Sequence, residues 1–359
     1  MILMSLKNNQ IIIKYLIVKN KLMNTQYKQI FDSLKDEKLD LSLNSRVLII
    51  DGLNSFLRSF TVIRHINQAG NHIGGLTGFL RSLSYVIGLV KPTRVILVFD
   101  GHGGSTNKRY LYPEYKANRT GNRVTNWDIF ESKDDESESI TAQLVRLIEY
   151  LKCLPVDLIA IDKIEADDVI GYIAGKLDKE VFIVSSDRDY LQLVSDRVTI
   201  FSPTKKKFYT EKLVLEEYGV TAQNFLTQKI ILGDSGDNVP GVKGIGEKTL
   251  LKLFPELGSE KEVSLDNILE KCQKENKKQH ESILNYKTQL HINKKLMDLK
   301  DPNIPEEALE EINSLILHAN KEMDSQKFLT LYGEDNLGNS INNPQMWLFN
   351  NFNPIKAIK

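Results

Sequence analysis

The stretch VDLIAIDKIEADDVIGYIAGKLDKEVFIVSSDRDYL, residues 156–191, reads as one strand–helix–strand unit. Residues 156–161, VDLIAI, are apolar and β-branched and predict a buried strand. Residues 166–177 place apolar side chains at helical spacing, and 181–184, VFIV, predict a second strand. Two strands joined by a helical crossover run parallel. Each strand gives way to acid. EADD supplies Glu165, Asp167 and Asp168, and SSDRD supplies Asp187 and Asp189.

The same grammar recurs upstream. RVLII, 46–50, stops at Asp51, and RVILVF, 94–99, stops at Asp100-Gly101. Between them LTGFLRSLSYVIGLV, 76–90, has helical periodicity and ends at Lys91-Pro92. VTIFS, 198–202, predicts a fifth strand. The expected fold is therefore α/β, with a mostly parallel central sheet and flanking helices. Beyond residue 220 the strand signal fades into a helical, Lys-rich region.

In such a sheet, sites form outside the carboxyl ends of the strands. With Asp234 and Asp237 of ILGDSGDNVPG, nine carboxylates in five clusters are candidates for one site. Two carboxylates about 4 Å apart repel by about 4 kcal/mol at an effective dielectric of 20. A cluster of this size therefore needs cations. Oxygen ligands without His or Cys favour Mg2+ or Mn2+, the ligand set of a two-metal phosphodiester centre.

The chain has 359 residues, 41% hydrophobic, with 47 basic and 47 acidic side chains and no net charge. A nucleic-acid partner would then be held by local patches, not by a global field. Cys153 and Cys272 form no CxxC pair, which points to a reduced, cytoplasmic setting. IIIKYLIV, 11–18, is too short to span a bilayer and is broken by Lys14, and no small-residue cleavage site follows. No membrane association and a monomer are the expectation.

Residues 102–138 break the strand–helix alternation. The first half is basic, with Lys108, Arg109, Lys116, Arg119 and Arg123 interleaved by Tyr110, Tyr112 and Tyr115; the second is acidic from Asp134 to Glu138. A long excursion in a compact domain is usually functional or disordered.

The ordered set DGLN (51–54), FDG (99–101), YPEYKANR (112–119), EADD (165–168), SSDRD (185–189) and GDSGDNVPGVKGIGEKT (233–249) resembles the 5′-nuclease family. That family includes flap endonucleases, the 5′→3′ exonuclease domain of bacterial DNA polymerase I, phage exonucleases and phage ribonuclease H. VTNWDIFES, 124–132, resembles the phage ribonuclease H branch. The resemblance covers roughly residues 46–255.

It implies a 5′→3′ exonuclease and flap endonuclease that hydrolyses DNA and RNA–DNA junctions with two Mg2+ or Mn2+ ions. The implied task is removal of RNA primers or 5′ flaps in replication, in a bacterial or phage-infected cell. Asp51, Asp100, Glu165, Asp167 and Asp187 would serve one metal, and Asp189, Asp234 and Asp237 the other; Asp168 is within reach of either. Lys116 and Arg119 would steady the scissile phosphate. Lys108 and Arg109 would guide the strand, and Tyr115 would stack on an unpaired base. The excursion would form an arch.

GVKGIGEKT, 241–249, combines a Gly-permitted turn with a following helix. By resemblance it is a helix–hairpin–helix element gripping duplex phosphates through Lys243, Gly244, Gly246, Lys248 and Thr249, with K+ as a companion ion. QMWLF, 345–349, resembles the peptides that dock on sliding clamps through residues such as Gln345, Leu348 and Phe349. Two readings stay open there: a clamp-docking peptide, or a tail folded back on its own domain.

The expected layout is an extension over 1–44, a nuclease domain over 45–220 with the arch at about 102–138, a helical DNA-binding subdomain over 221–335 and a tail over 336–359. Two competitors are a non-catalytic, structure-specific DNA-binding protein and a single-strand ribonuclease. The intact carboxylate set counts against the first and GVKGIGEKT against the second.

Overall fold

The computed structural model describes residues 42–118, 125–275, 277–320 and 322–358. Most of the expected N-terminal extension and Arg119 lie outside the described residues.

Six strands form one sheet: β1 (Arg46–Asp51), β2 (Arg94–Asp100), β3 (Asp157–Ile161), β4 (Glu180–Val184), β5 (Val198–Ser202) and β6 (Lys207–Tyr209). Their order is β3-β2-β1-β4-β5-β6. The first five are parallel, and β6 closes one edge antiparallel to β5. From β1 the chain builds outward through β2 and β3, then returns to the other side of β1 with β4. That reversal makes β1 and β4 the switch point, where the crevice of an open α/β sheet lies. Asp51 ends β1, and Asp187 follows β4 by three residues.

The helices are α1 (Gly52–Val62), α2 (Gly74–Val90), α3 (Thr106–Leu111), α4 (Lys133–Leu151), α5 (Ala166–Lys176), α6 (Glu211–Tyr218) and α7 (Ala222–Leu232). Then come α8 (Glu247–Leu253), α9 (Leu265–Glu275), α10 (Lys278–Asn285), α11 (Lys287–Met297), α12 (Glu306–Leu317), α13 (Ser325–Glu334) and α14 (Pro344–Lys356).

Side chains alternate across each strand, so the sheet feeds two cores. Val47, Ile49, Ile96 and Val98 join α5 and the helices from α7 to α12. Leu48, Ile50, Val95 and Leu97 join α1, α2, α4, α13 and α14 on the opposite face. This split corrects the expected layout of the C-terminal quarter. Phe328 of α13 packs with the α/β domain, as do Leu348, Phe352 and Ile355 of α14. Residues 325–334 thus pack with the α/β domain and not with the helical subdomain, and residues 344–356 fold back on the same face of the sheet.

The excursion also ends earlier than expected. Asp134, Asp135 and Glu136 form the first turn of α4, where Ser132 caps Asp135 N–H at 3.0 Å. Anionic side chains are favoured at a helix N-terminus, so the acidic run is helix-starting chemistry. Lys205 and Lys207, near the β5–β6 turn, both pair with Glu217 of α6.

Candidate metal centre and nucleic-acid interface

Seven of the nine acids lie toward the carboxyl edge of the sheet because they stand at the end of a buried strand or follow one, while Asp234 and Asp237 come from the loop after α7. Asp51 caps α1, accepting from Asn54 N–H at 3.1 Å, while its other oxygen accepts from Ser185 Oγ at 3.1 Å. Ser185 Oγ also accepts from Asp187 N–H at 3.1 Å, tying the ends of β1 and β4 together. Asp100 accepts from Ala166 N–H at 2.8 Å, so β2 is fixed to the start of α5. One carboxylate oxygen from each of Glu165, Asp167 and Asp168 lies within 4.8 Å of the others. Asp187 raises the proton affinity of Asp167 and Asp189, and Asp234 that of Asp189, placing these charges in one continuous field. Asp237 joins through Tyr115, whose hydroxyl lies 2.9 Å from Glu165 and 3.1 Å from Asp237.

This crowding shows in the acids themselves. Burial, with the charges of Asp100 and Asp167, pushes the Asp51 carboxyl up to about 7 against its hydrogen bonds from Asn54 and Ser185. Burial also pushes Asp168 and Asp189 up to about 7, against the pull of Lys108 on the first and Lys229 on the second. Glu165 goes the other way. Burial alone would raise it, but Lys108 and Lys116 overcome that and hold it at about 2. Hard oxygen donors in an excess of negative charge fit divalent cations such as Mg2+.

Three ammonium groups sit among the acids. Lys108 of α3 is buried, with Nζ 3.0 Å from Glu165, 3.5 Å from Asp167 and 2.9 Å from Asp168. It was expected to guide a strand, and the structure corrects this: the acids hold it inside the cluster. Tyr115 is corrected likewise. At 2% exposure its ring has no free face for a base, and its hydroxyl serves Glu165 and Asp237. Lys116, expected to steady the scissile phosphate, is paired with Glu165 and lies 4.0 Å from Asp237. Its backbone is left-handed at φ 56°, and its N–H donates to Asp237 O at 2.8 Å. Asn238 donates to Glu114 O at 2.8 Å, so the foot of the excursion is stitched to the Asp234–Asp237 loop.

The third ammonium, Lys229 of α7, has no counterpart in the sequence reading. It pairs with Asp189 and lies 3.0 Å from Asp234. The available signal was a lone lysine in QKIIL, five residues before Asp234. These residues line a cavity of about 460 Å3 that also holds Asn54, Asp187 and Glu247.

Arg109 is exposed, its Nε donating to Tyr115 O at 3.2 Å. Lys243, Gly244, Gly246 and Lys248 are exposed on the turn into α8, and Thr249 is half-buried. Gly244 takes φ +81°, which the turn needs and a side chain would resist. Of the expected clamp peptide, Gln345 and Phe349 are exposed but Leu348 is 2% exposed in the core. The segment is helical, and because Leu348 is packed into the core the three side chains do not form one open face.

A sequence model of the 5′–3′ exonuclease N-terminal resolvase-like domain matches residues 46–219, and one of the 5′–3′ exonuclease C-terminal SAM fold matches residues 220–318. The chain belongs to the 5′–3′ exonuclease family. Membership makes it a nuclease, a hydrolase of phosphodiester bonds. It is 31% identical to the 5′-3′ exonuclease of Bacillus subtilis over 71% of this chain and 83% of that protein. It is also 31% identical to DNA polymerase I of Bacillus caldotenax, over 66% of this chain but only 27% of the polymerase. The bacteriophage T5 flap endonuclease, solved with DNA and metal ions, shares the fold at a TM-score of 0.63 and 24% identity. That match covers 76% of this chain and 98% of the phage enzyme. Among the described residues, no helix is long and apolar enough to cross a membrane.

Proposed function

We propose that this exonuclease cleaves DNA and RNA–DNA junctions from 5′ ends and at 5′ flaps, with two Mg2+ or Mn2+ ions, and removes primers or flaps in replication. The observation that carries this reading is the oxygen-only donor set, with Glu165, Asp167 and Asp168 within 4.8 Å of one another and six further carboxylates around them. Asp51, Asp100, Glu165, Asp167 and Asp187 would hold one ion, and Asp189, Asp234 and Asp237 the other, with Asp168 beside both. When bound, the ions polarise the phosphodiester and offset the charge that develops as it breaks.

The chain's own groups supply the rest. Lys116, held in place by the Asp237 backbone, presents an ammonium to the scissile phosphate, and Arg119 would act with it. Tyr115 and Lys108 orient Glu165 from inside. Exposed Lys243 and Lys248 on the Gly244–Gly246 turn would hold duplex phosphates without reading bases, with K+ as a companion at that turn. Exposed Arg109 would lie along the strand's approach.

The test is a 5′-flap duplex labelled at either strand end, incubated in Mg2+ and in EDTA, beside Asp187→Ala. Cleavage near the junction that needs Mg2+ and disappears in the variant is the expected result. Tight binding of the flap without any cleavage would instead support the non-catalytic DNA-binding reading.

A further inference from the structure

We infer that Lys229 is a resident counter-cation for the second acidic set, which a divalent ion must displace in order to bind there. The inference rests on the two-ion reading and deepens it, since neither the family match nor the sequence motifs assign Lys229 a role. Asp189 stands on the turn after β4, and Asp234 follows α7. Lys229 reaches from α7 between the two, pairing with Asp189 and lying 3.0 Å from Asp234. Its side chain is 12% exposed, against 18% for Asp189 and 29% for Asp234, so water screens the pairs little. Like charges brought this close repel unless a cation stands between them. Lys229 is that cation, fixed to the fold.

The arrangement has two consequences. The acids stay assembled when no divalent ion is present, so the site is formed before loading. The second ion must compete with a tethered ammonium, so it binds more weakly than its ligands alone would allow. Lys229 is thus a positioning residue for Asp189 and Asp234. The same logic at Lys108 is weaker as a case for displacement, because that ammonium is buried beneath three carboxylates instead of lining the open cavity.

Calorimetric titration of DNA-free protein with Mn2+, with bound ions counted by electron paramagnetic resonance, tests this on wild type, Lys229→Met and Lys229→Arg. In Lys229→Met the weaker binding step should tighten by about tenfold or more. In EDTA that variant should melt roughly 5 °C or more below wild type, because two half-buried carboxylates lose their partner, and Mn2+ should close the gap. Lys229→Arg should restore melting in EDTA. If Lys229→Met does not fold in EDTA, recovery on refolding in Mn2+ supports the inference and failure to recover overturns it. Two ions bound by wild type, with the weaker step unchanged or weakened in Lys229→Met, overturns this inference and leaves the two-ion reading standing. One ion bound by wild type but two by Lys229→Met supports it. A single ion in both proteins overturns both.

Discussion

The hydroxyl of Tyr115 stands 2.9 Å from Oε2 of Glu165, in a residue only 2% exposed. Burial, with the charges of Glu165, Asp167 and Asp237, pushes the phenol far above its ordinary range, so it stays a donor. One O–H serves one acceptor at a time, and Glu165 and Asp237 share this one. The excursion is thereby linked to both acidic sets through a single group.

Tyr115→Phe keeps the ring and removes that donor. A hydrogen bond to a charged group is worth about 1.5–3 kcal/mol, so the flap-cleavage rate should fall roughly tenfold or more. A base-stacking role predicts the opposite, since Phe stacks as Tyr does. Full activity in Tyr115→Phe, with loss in Tyr115→Ala, would return the ring to stacking.

Metal loading should follow pH through neutrality. The Asp51, Asp168 and Asp189 carboxyls stand at about 7, chiefly because burial disfavours their charged forms. Below that pH they hold protons that a cation must expel, so divalent-ion affinity should rise from pH 6 to 8 and level off above it. The linkage for folding has the reverse sign. A carboxyl raised in the folded state binds more protons there than in the unfolded chain. Stability is therefore fully present below the unfolded value near 4 and is lost as pH rises through about 7. Ion-free protein should melt lower at pH 8 than at pH 5, and added Mg2+ should reverse much of that loss. Calorimetry in buffers of different ionisation enthalpy counts the protons released. Release of none at pH 6.5 would contradict this account.

Gly171 of α5 supports the second acidic set from a distance. A Cβ there would come within 2.2 Å of Leu299 O. Leu299 N–H donates to Gln192 Oε1 at 3.0 Å, while Gln192 Nε2 donates to Met297 O at 3.0 Å and to Asp189 O at 2.9 Å. Gly171→Ala should therefore move the 297–299 segment, cost about 1–3 kcal/mol despite its better helix propensity, and slow cleavage through Asp189. Gly175→Ala in the same helix meets nothing within 4 Å and should be neutral or stabilising by up to about 1 kcal/mol. Equal melting temperatures for the two variants would rule the coupling out.

What was legible in the sequence is what local pattern determines. Buried parallel strands need unbroken β-branched runs, so RVLII, RVILVF and VFIV announced the sheet, and the acids beyond them announced its active edge. Charges whose partners are set by tertiary contact were not legible. Lys108 and Glu165 meet across 57 residues, and nothing in TNKRYL says which of Lys108 and Arg109 turns inward. Lys229 hid in an otherwise apolar helix end for the same reason. The run Asp134–Glu138 was read by its charge, when its position after Ser132 decided its role. Leu348 stays open between a docking peptide and a folded-back tail because a short amphipathic segment gives no sign of which neighbouring face will cover it.

Arg94 and Asp157 begin β2 and β3, at the edge of the sheet opposite the acids. Their side chains are 1% and 6% exposed and meet at 2.7 Å. The Arg94 guanidinium also donates to the carbonyls of Leu315, Ile316 and His318, satisfying the C-terminus of α12. Asp157 keeps only limited compensation elsewhere, including Asn320 N–H at 2.7 Å. Arg94→Met should therefore strand a buried carboxylate and cost about 3–5 kcal/mol in urea unfolding. Asp157→Asn, which keeps an acceptor without the charge, should cost less. Because the pair stands a full strand length from the metal centre, the cleavage rate of Arg94→Met well below its melting temperature should stay within about twofold of wild type. A large rate loss in protein that is still fully folded would mean that the two ends of the sheet are mechanically coupled, so that docking of α12 against β2 and β3 helps set the spacing of the carboxylates at the opposite edge.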